Sequence, residues 1–519
     1  MQFFDNQEII QEQCAALLSD ESKTTGGIPS KVFFPESVDD LRTIMISASN
    51  EHQRIRFIGN HTGTTGGAVP LDNEWALSFS RMNRILSVTR TANDEIILIC
   101  EPGITLSSIN QFLQEPSSWP DHVPGREHLS RSSHFYAPDP TETEAQLGGT
   151  VATNASGARS LRFGATRNSI HSLSIVTASG DTFTIDRSVQ ILPEKGFCIV
   201  TDQKNNITIP PFTFKSLSIK NASGFYAQSP MDCIDLFIGS EGLLGAFSSI
   251  SIKLQKSIQI VAGCSFFTSR ESAFGFADFL RNENQIVSLE LFDSSALQFI
   301  GHYRKQFPES LPQFPAGASQ AILWEFADNT PQSFESRFDL WESILDKYGS
   351  SFERTWSGVD PHEIDRLKKF RHALPETVNS MVASYKRTCP SIRKIGTDTA
   401  LPEDRFLSVY NKYLSLITES NLAHAAFGHL GDYHIHINLL PSNEFELKQA
   451  LDIYDQMMSL TIENNGSVSA EHGIGKVKKK YLIKMYGDAI ISQMNAIKKA
   501  FDPEWRLNFG TMLDCSNLQ

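Results

Sequence analysis

What the chain lacks narrows it first. Its seven cysteines, at positions 14, 100, 198, 233, 264, 389 and 515, are odd in number and none lies within three residues of another. That excludes a disulfide framework, a zinc ribbon and a cysteine-ligated iron–sulfur cluster. It predicts small buried thiols in a reducing compartment. Long apolar runs are missing: the longest, such as Ile96–Cys100, fall far short of the ~20 residues that span a bilayer. The opening Met-Gln-Phe-Phe-Asp-Asn-Gln-Glu has neither a basic start nor an apolar core, so no secretory signal is read. A cytoplasmic location is expected, extending at most to the inner face of a membrane. Positive charge is scarce: 46 Lys and Arg against 59 Asp and Glu leave −13 over 519 residues. Nucleic acid is therefore a poor partner. Neither a fixed-period repeat nor a low-complexity segment is present. What remains, 40% hydrophobic and 20% charged, is the composition of a folded multi-domain enzyme.

Periodicity sketches the elements. An N-terminal helical segment is expected over 1–26, ahead of the Gly26-Gly27 pair. Ser37 caps a predicted helix with Asp40 in capping-box spacing, and Val38, Leu41, Ile44, Met45 and Ala48 share its apolar face. Strands are expected over 54–58, 96–100, 172–177, 182–185 and 249–254, with a helix over 106–113. Five prolines between 115 and 140 argue against a helix or central strand there. Beyond about 260 the chain turns more aromatic. Helices are expected around 406–417 and 447–458, and strands at 425–427 and 435–439. Antiparallel strands backed by helices fit this half.

Three glycine-rich segments stand out. The first follows a strand: Gly59-Asn60-His61-Thr62-Gly63-Thr64-Thr65-Gly66-Gly67. Small residues let backbone N–H groups converge on a phosphate, although the spacing is neither a P-loop nor a dinucleotide fingerprint. The second contains Pro138-Asp139-Pro140, Gly148-Gly149, Thr153 and Asn154-Ala155-Ser156-Gly157. Ten consecutive small positions suit backbone lying flat against a large planar or anionic ligand. The third is Gly239-Ser240-Glu241-Gly242-Leu243-Leu244-Gly245.

In this order and spacing the segments resemble the FAD-linked oxidase family with the p-cresol-methylhydroxylase type of flavin domain. The resemblance runs from about Gly27 to the end. It implies an α+β fold: a flavin domain over 27–258, a substrate or cap domain over 259–470 with an antiparallel sheet backed by helices, and a segment 471–519 returning to the flavin domain. It also implies FAD bound by Gly59 to Gly66, Pro138, Asp139, Gly148, Gly149, Thr153, Asn154, Ser156, Gly157, Gly239, Glu241, Gly242 and, in the terminal signature, Asn508. Asn60 and His61 stand where many members have glycine, Ser156 replaces a usual glycine, and Phe509 a usual proline. His61 is read as a non-covalent loop residue rather than a covalent flavin link.

The second half carries a different signal. Gly428-His429-Leu430-Gly431-Asp432-Tyr433-His434-Ile435-His436-Ile437-Asn438 packs three histidines into eight residues. In a strand, His434, His436 and Asn438 share a face, with the histidines about 7 Å apart, and a turn at Gly431-Asp432 folds His429 back toward them. Glu471 and His472 follow between small residues. Imidazoles with a carboxylate suit zinc or manganese.

This half resembles the D-2-hydroxyacid dehydrogenase branch. The resemblance implies His429, His436 and Glu471 as metal ligands, His472 as catalytic base and Arg371 as the substrate-carboxylate arginine. Tyr433 and His434 stand where the branch has glycine and a substrate-contacting asparagine; His434 either takes over that contact, and is assigned to the catalytic set, or enters the metal shell, and the pair is expected to set substrate preference. The lysine expected just before Asp398 is replaced by Gly396. Lys476, Lys478, Lys479, Lys480 and Lys484 read as a solvated helix face, or as a docking patch for an acidic acceptor. The implied reaction is FAD-dependent oxidation of a small D-2-hydroxy acid, with an electron-transfer protein or quinone as acceptor and a homodimer as the assembly. Competing readings are an oxygen-using oxidase, a non-redox enzyme like alkylglycerone-phosphate synthase, and a flavin binder without turnover. In the synthase, three histidines stand near Ala470-Glu471-His472.

The purified protein is expected to be yellow and to release FAD, not FMN, on denaturation. A colourless protein that FAD cannot reconstitute would overturn this reading.

Overall fold

The computed structural model describes residues 1–327, 331–358 and 360–515. The chain divides into two units. The first comprises Met1–Gly157, Gly164–Ser257 and Ser469–Gln519; the second comprises Ala158–Phe163 and Ile258–Val468. The second unit thus takes a six-residue piece from within the stretch 27–258.

In the first unit, Ser37 accepts the Asp40 amide at 3.1 Å and starts the helix Val38–Asn50. The Asp40 carboxylate accepts the Glu36 amide at 3.0 Å, so the box closes one residue before the cap. Leu41, Ile44, Met45 and Ala48 are buried against Phe33, Ile55, Trp75 and Leu507, whereas Val38 is exposed and falls off the apolar face. Each fully buried Leu or Ile contributes about 1.5–3 kcal/mol. The helix lies beside a four-stranded sheet ordered Gln2–Phe4, Lys31–Phe34, Trp75–Ser78, Ile55–Ile58, whose last three strands are parallel. A five-stranded antiparallel sheet follows the order Ile85–Arg90, Ile96–Cys100, Ala246–Lys253, Ile170–Val176, Thr182–Asp186.

Two expectations change here. The first 26 residues are not simply helical: Gln2–Phe4 is a strand paired to Lys31–Phe34, and only Gln7–Gln13 is α-helix, capped by Asn6. The small-residue run is not flat either, because Leu147–Thr153 forms a two-turn helix. Leu147 and Val151 bury one side of it, and Asn154 ends it at φ 50°. Between 115 and 140 the prolines leave only short 3-10 turns and a two-residue strand, His134–Phe135.

The second unit is built on one antiparallel sheet. Its strand order is Thr355–Gly358, Ile260–Phe267, Gln320–Ala327, Ile286–Phe292, His424–His429, His434–Leu439, Ile395–Gly396, with Thr399–Ala400 also pairing to His434–Leu439. Helices Ser294–Gln306 and Pro361–Lys386 cover it, burying Ala296, Ile300, Phe370 and Leu374 against Cys264, Phe266 and Leu323. This is the α+β arrangement expected, an antiparallel sheet backed by helices. No helix among the described residues is long and apolar enough to cross a membrane.

One buried ion pair closes the first unit. Arg56, fully buried, binds Glu74 through Nε and Nη2, each at 3.0 Å. Its other N–H groups donate to Gly67 O at 3.1 Å, Thr511 Oγ1 at 2.7 Å and Phe509 O at 2.6 Å. Removing one partner of such a pair leaves an uncompensated buried charge. Glu74→Gln is therefore expected to lower stability in urea unfolding by about 3–5 kcal/mol. The double change Arg56→Met with Glu74→Leu should recover only part of that loss, because three further acceptors lose their donor. Full recovery would show that the pair acts alone.

Candidate functional site

Within the first unit the second and third glycine-rich segments are tied by backbone bonds, and the first is tied to the C-terminal segment. The Gly239 and Glu241 amides donate to Val151 O and Ala152 O at 2.9 and 2.8 Å, docking the third segment on the helix Leu147–Thr153. The Lys476 amide reaches Thr65 O at 2.9 Å and the Met512 amide reaches Gly475 O at 2.7 Å. Asn508 bridges the middle: its Oδ1 accepts the Phe57 amide at 2.8 Å and its Nδ2 donates to Glu241 O at 2.7 Å. Arg54 lies 3.6 Å over the Phe509 ring, which gives a physical use to the phenylalanine that replaces a proline.

The segments divide into packing and open surface. A Cβ at Gly157 would sit 1.8 Å from Asp139 O, and one at Gly242 would sit 2.4 Å from Asn508 Nδ2. Those two glycines allow strand-close approach of Pro138-Asp139 and of the amide bridge. At Gly149 a Cβ would meet nothing within 4 Å, and at Gly59 only Gln146 Oε1 at 3.5 Å. Gln146 Oε1 and His61 Nδ1 are buried polar atoms with no protein hydrogen-bond partner. Gly63 and Thr64 are exposed; Gly59 and Thr62 are half-buried. Bare glycine backbone beside orphaned buried acceptors fits an extended, polar, flat ligand such as FAD. Other assigned residues serve the protein: Asn60 Nδ2 donates to Glu144 O at 2.8 Å, Thr153 Oγ1 to Gly149 O at 3.1 Å, and Asn154 Oδ1 accepts the Arg167 amide at 3.0 Å. His61 is held at φ 58°, and burial lowers its pKa, which keeps the ring neutral.

Glu241 is turned inward. It accepts the Ile474 and Gly475 amides at 2.6 and 2.8 Å, beside the segment that carries Glu471 and His472. Ser156 Oγ donates to Glu471 Oε2 at 2.9 Å, and Lys220 Nζ stands 3.1 Å from the same oxygen. His472 Nε2 is 3.7 Å from Glu471 Oε1, with its side chain 35% exposed. The lysine run is only partly a solvated face: Lys480 and Lys484 are exposed, but Lys478 is buried and donates to Ser469 Oγ at 3.0 Å, Lys479 pairs with Asp514 at 2.6 Å, and Lys476 donates to Val69 O.

In the second unit, the hairpin of His424–His429 and His434–Leu439 brings three imidazoles together. Ring centroids are 4.3 Å apart for His434 and His436, 5.1 Å for His429 and His434, and 5.6 Å for His429 and His436. Each ring brings one nitrogen within 4.8 Å of the others'. All three are buried. Each is also held from behind. Glu290 binds His429 Nδ1, Asp398 Oδ1 lies 3.0 Å from His434 Nε2, and Thr397 O lies 3.1 Å from His436 Nδ1. Arg371 Nε stands 3.4 Å from the second oxygen of Glu290. Tyr433 occupies φ 51° and is clamped by Arg281, which bonds its hydroxyl at 2.5 Å, stacks 3.8 Å over its ring and donates to Leu430 O at 2.7 Å.

Sequence reasoning missed Glu290 and Lys220. Glu290 had a signal: it is the one charge in the otherwise apolar or small strand Ile286–Phe292, all of it buried. Lys220 had none.

Residues 29–186 match the model of an FAD binding domain, and residues 257–512 match that of the C-terminal domain of FAD linked oxidases. The chain belongs to the FAD-linked oxidase family. Among its relatives is the D-2-hydroxyglutarate dehydrogenase of Stutzerimonas stutzeri (strain A1501), 24% identical over 507 residues, covering 95% of this chain and 92% of that one. Another is the mitochondrial D-lactate dehydrogenase [cytochrome] of Arabidopsis thaliana, 25% identical over 491 residues, covering 94% and 74%. A solved alkyldihydroxyacetonephosphate synthase shares the fold at a TM-score of 0.64 and 12% identity, covering 98% of this chain and 82% of that one. The chain is thus an FAD-linked oxidoreductase family member related to 2-hydroxyacid dehydrogenases.

Burial pushes the Glu241 carboxyl up to about 7, against the lowering effect of the Ile474 and Gly475 amides and Lys478. The folded state therefore holds this proton more tightly than the unfolded chain. Its stabilising contribution is complete below the unfolded value near 4.5 and is lost as pH rises through about 7. Thermal melts between those values should show falling stability with rising pH, and Glu241→Gln should flatten that slope. An unchanged slope would assign it to another group.

Proposed function

We propose that the protein oxidises a small D-2-hydroxy acid to the 2-oxo acid. The observation that carries this reading is the buried three-histidine cluster with its outer carboxylates, in a chain of a flavin-dependent family. FAD, when bound, supplies the acceptor for the Cα hydride, and a divalent ion, zinc or manganese, supplies Lewis acidity toward the substrate hydroxyl. His429 and His436, with Glu471 as the carboxylate, are the proposed ligands. Glu290 behind His429 and Thr397 behind His436 fix the ring orientations that such a role needs.

Arg371 is proposed to hold the substrate carboxylate. Its planar fork suits a bidentate grip, and Glu290 restrains the guanidinium. His472 takes the hydroxyl proton; its imidazole is partly exposed and so has a route to pass that proton on. Glu471, fixed by Ser156 and Lys220, holds the segment in which His472 sits. The electrons then pass to an acceptor protein or quinone. The likeness to alkyldihydroxyacetonephosphate synthase is one of fold, and of Ala470-Glu471-His472 only one is histidine.

Anaerobic mixing of the FAD-loaded protein with D- and L-2-hydroxy acids tests the reading. The flavin band should bleach with one or more D acids and not with their L enantiomers. Chelation should abolish bleaching without releasing FAD, and His472→Ala should slow it about 100- to 10,000-fold. No bleaching of metal-supplied protein by any 2-hydroxy acid would sink the proposal.

A further inference from the structure

Resting on the metal in that reading, we propose that His434 is itself a metal ligand. The second unit would then present three imidazoles, His429, His434 and His436, to one divalent ion. The resemblance to the dehydrogenase branch implies an asparagine at the position of His434; the histidine here offers an ion a third nitrogen instead.

Three observations support the assignment. The first is convergence. His434 and His436 are two residues apart on one strand and so share a face, and the left-handed Tyr433 turn brings His429 across to them. The resulting cluster holds one nitrogen of each ring within 4.8 Å.

The second is the outer shell. Ligating histidines almost always give their other nitrogen to a carboxylate or a backbone carbonyl, which fixes tautomer and orientation. His434 has Asp398 at 3.0 Å in that place, just as His429 has Glu290 and His436 has Thr397 O. A substrate-reading residue needs no such partner.

The third is charge. Asp398 is 1% exposed and Glu290 4%. Arg371 Nε already stands 3.4 Å from Glu290 and offsets part of its charge; a buried carboxylate behind an imidazole is stabilised further by positive charge on the far side of the ring. A dication in front of the rings adds that charge at both positions. An anionic substrate carboxylate against His434 would instead be repelled by Asp398. Three nitrogen donors also move selectivity toward zinc and cobalt and away from manganese, which prefers oxygen.

Metal binding to the stripped, FAD-loaded protein decides the matter without any turnover. Chelator competition should show His434→Asn, which restores the family residue, weakening zinc at least about tenfold. Manganese should change less than about threefold. Asp398→Asn should weaken zinc in the same direction by a smaller factor. The cobalt(II) visible spectrum of His434→Asn should shift in position and intensity. X-ray absorption at the zinc edge of the unmutated protein should count three imidazoles, a result that holds whether or not a variant folds. Two imidazoles, or a His434→Asn protein with unchanged zinc affinity and cobalt spectrum, overturns the proposal and leaves the metal-assisted reaction standing. If the unmutated protein binds no divalent ion, the metal in the proposed function falls as well.

Discussion

A guanidinium that cannot reach water governs the first unit. Burying the Arg56 charge costs several kcal/mol unless every N–H finds an acceptor. The acceptors come from two stretches far apart in the chain: Gly67, at the end of the first glycine-rich loop, with Glu74 seven residues on, and the carbonyl of Phe509 with the hydroxyl of Thr511. Satisfying the one cation therefore fixes where that loop ends and where the C-terminal strap lies. Lys498 repeats the device: buried and paired with Asp502, it donates to Leu243 O at 2.8 Å and Leu507 O at 3.1 Å, which anchors the third glycine-rich segment. The glycine-rich loops are soft by composition. They are held by stiff, charged contacts one layer behind.

The second unit uses the same logic with the signs reversed. Here the buried charges are the carboxylates Glu290 and Asp398, and the groups they hold are imidazoles. Glu290 is shared between His429 and Arg371, so a single carboxylate sets the orientation of a candidate ligand and a candidate substrate anchor. A change at either partner should be felt by the other.

Much of this was legible in the sequence, and the boundary has a physical cause. Strands such as Ile96–Cys100 and the helix after Ser37 follow from neighbours a few residues apart, where pattern and capping act. The histidine hairpin was legible for the same reason, since a period of two within eight residues is a local fact. The failures were long-range. Nothing near His429 announces a partner 139 residues earlier in the chain. The lysine run looks solvated because its acceptors, Val69 O and Asp514, are remote in sequence. The small-residue stretch was misread because packing of Leu147 and Val151 outweighs the low helix propensity of Gly148 and Gly149.

The arrangement of Arg56 also bears on how the protein is made. Its Phe509 partner is 453 residues downstream. At about 5–20 residues per second, a ribosome needs roughly 20–90 s to cover that distance. By the time Ala246–Lys253 is made, both sheets of the first unit have all their strands, but the segment that completes the cradle is still to come. The nascent chain must therefore wait with apolar edges showing, in the state where chaperones act.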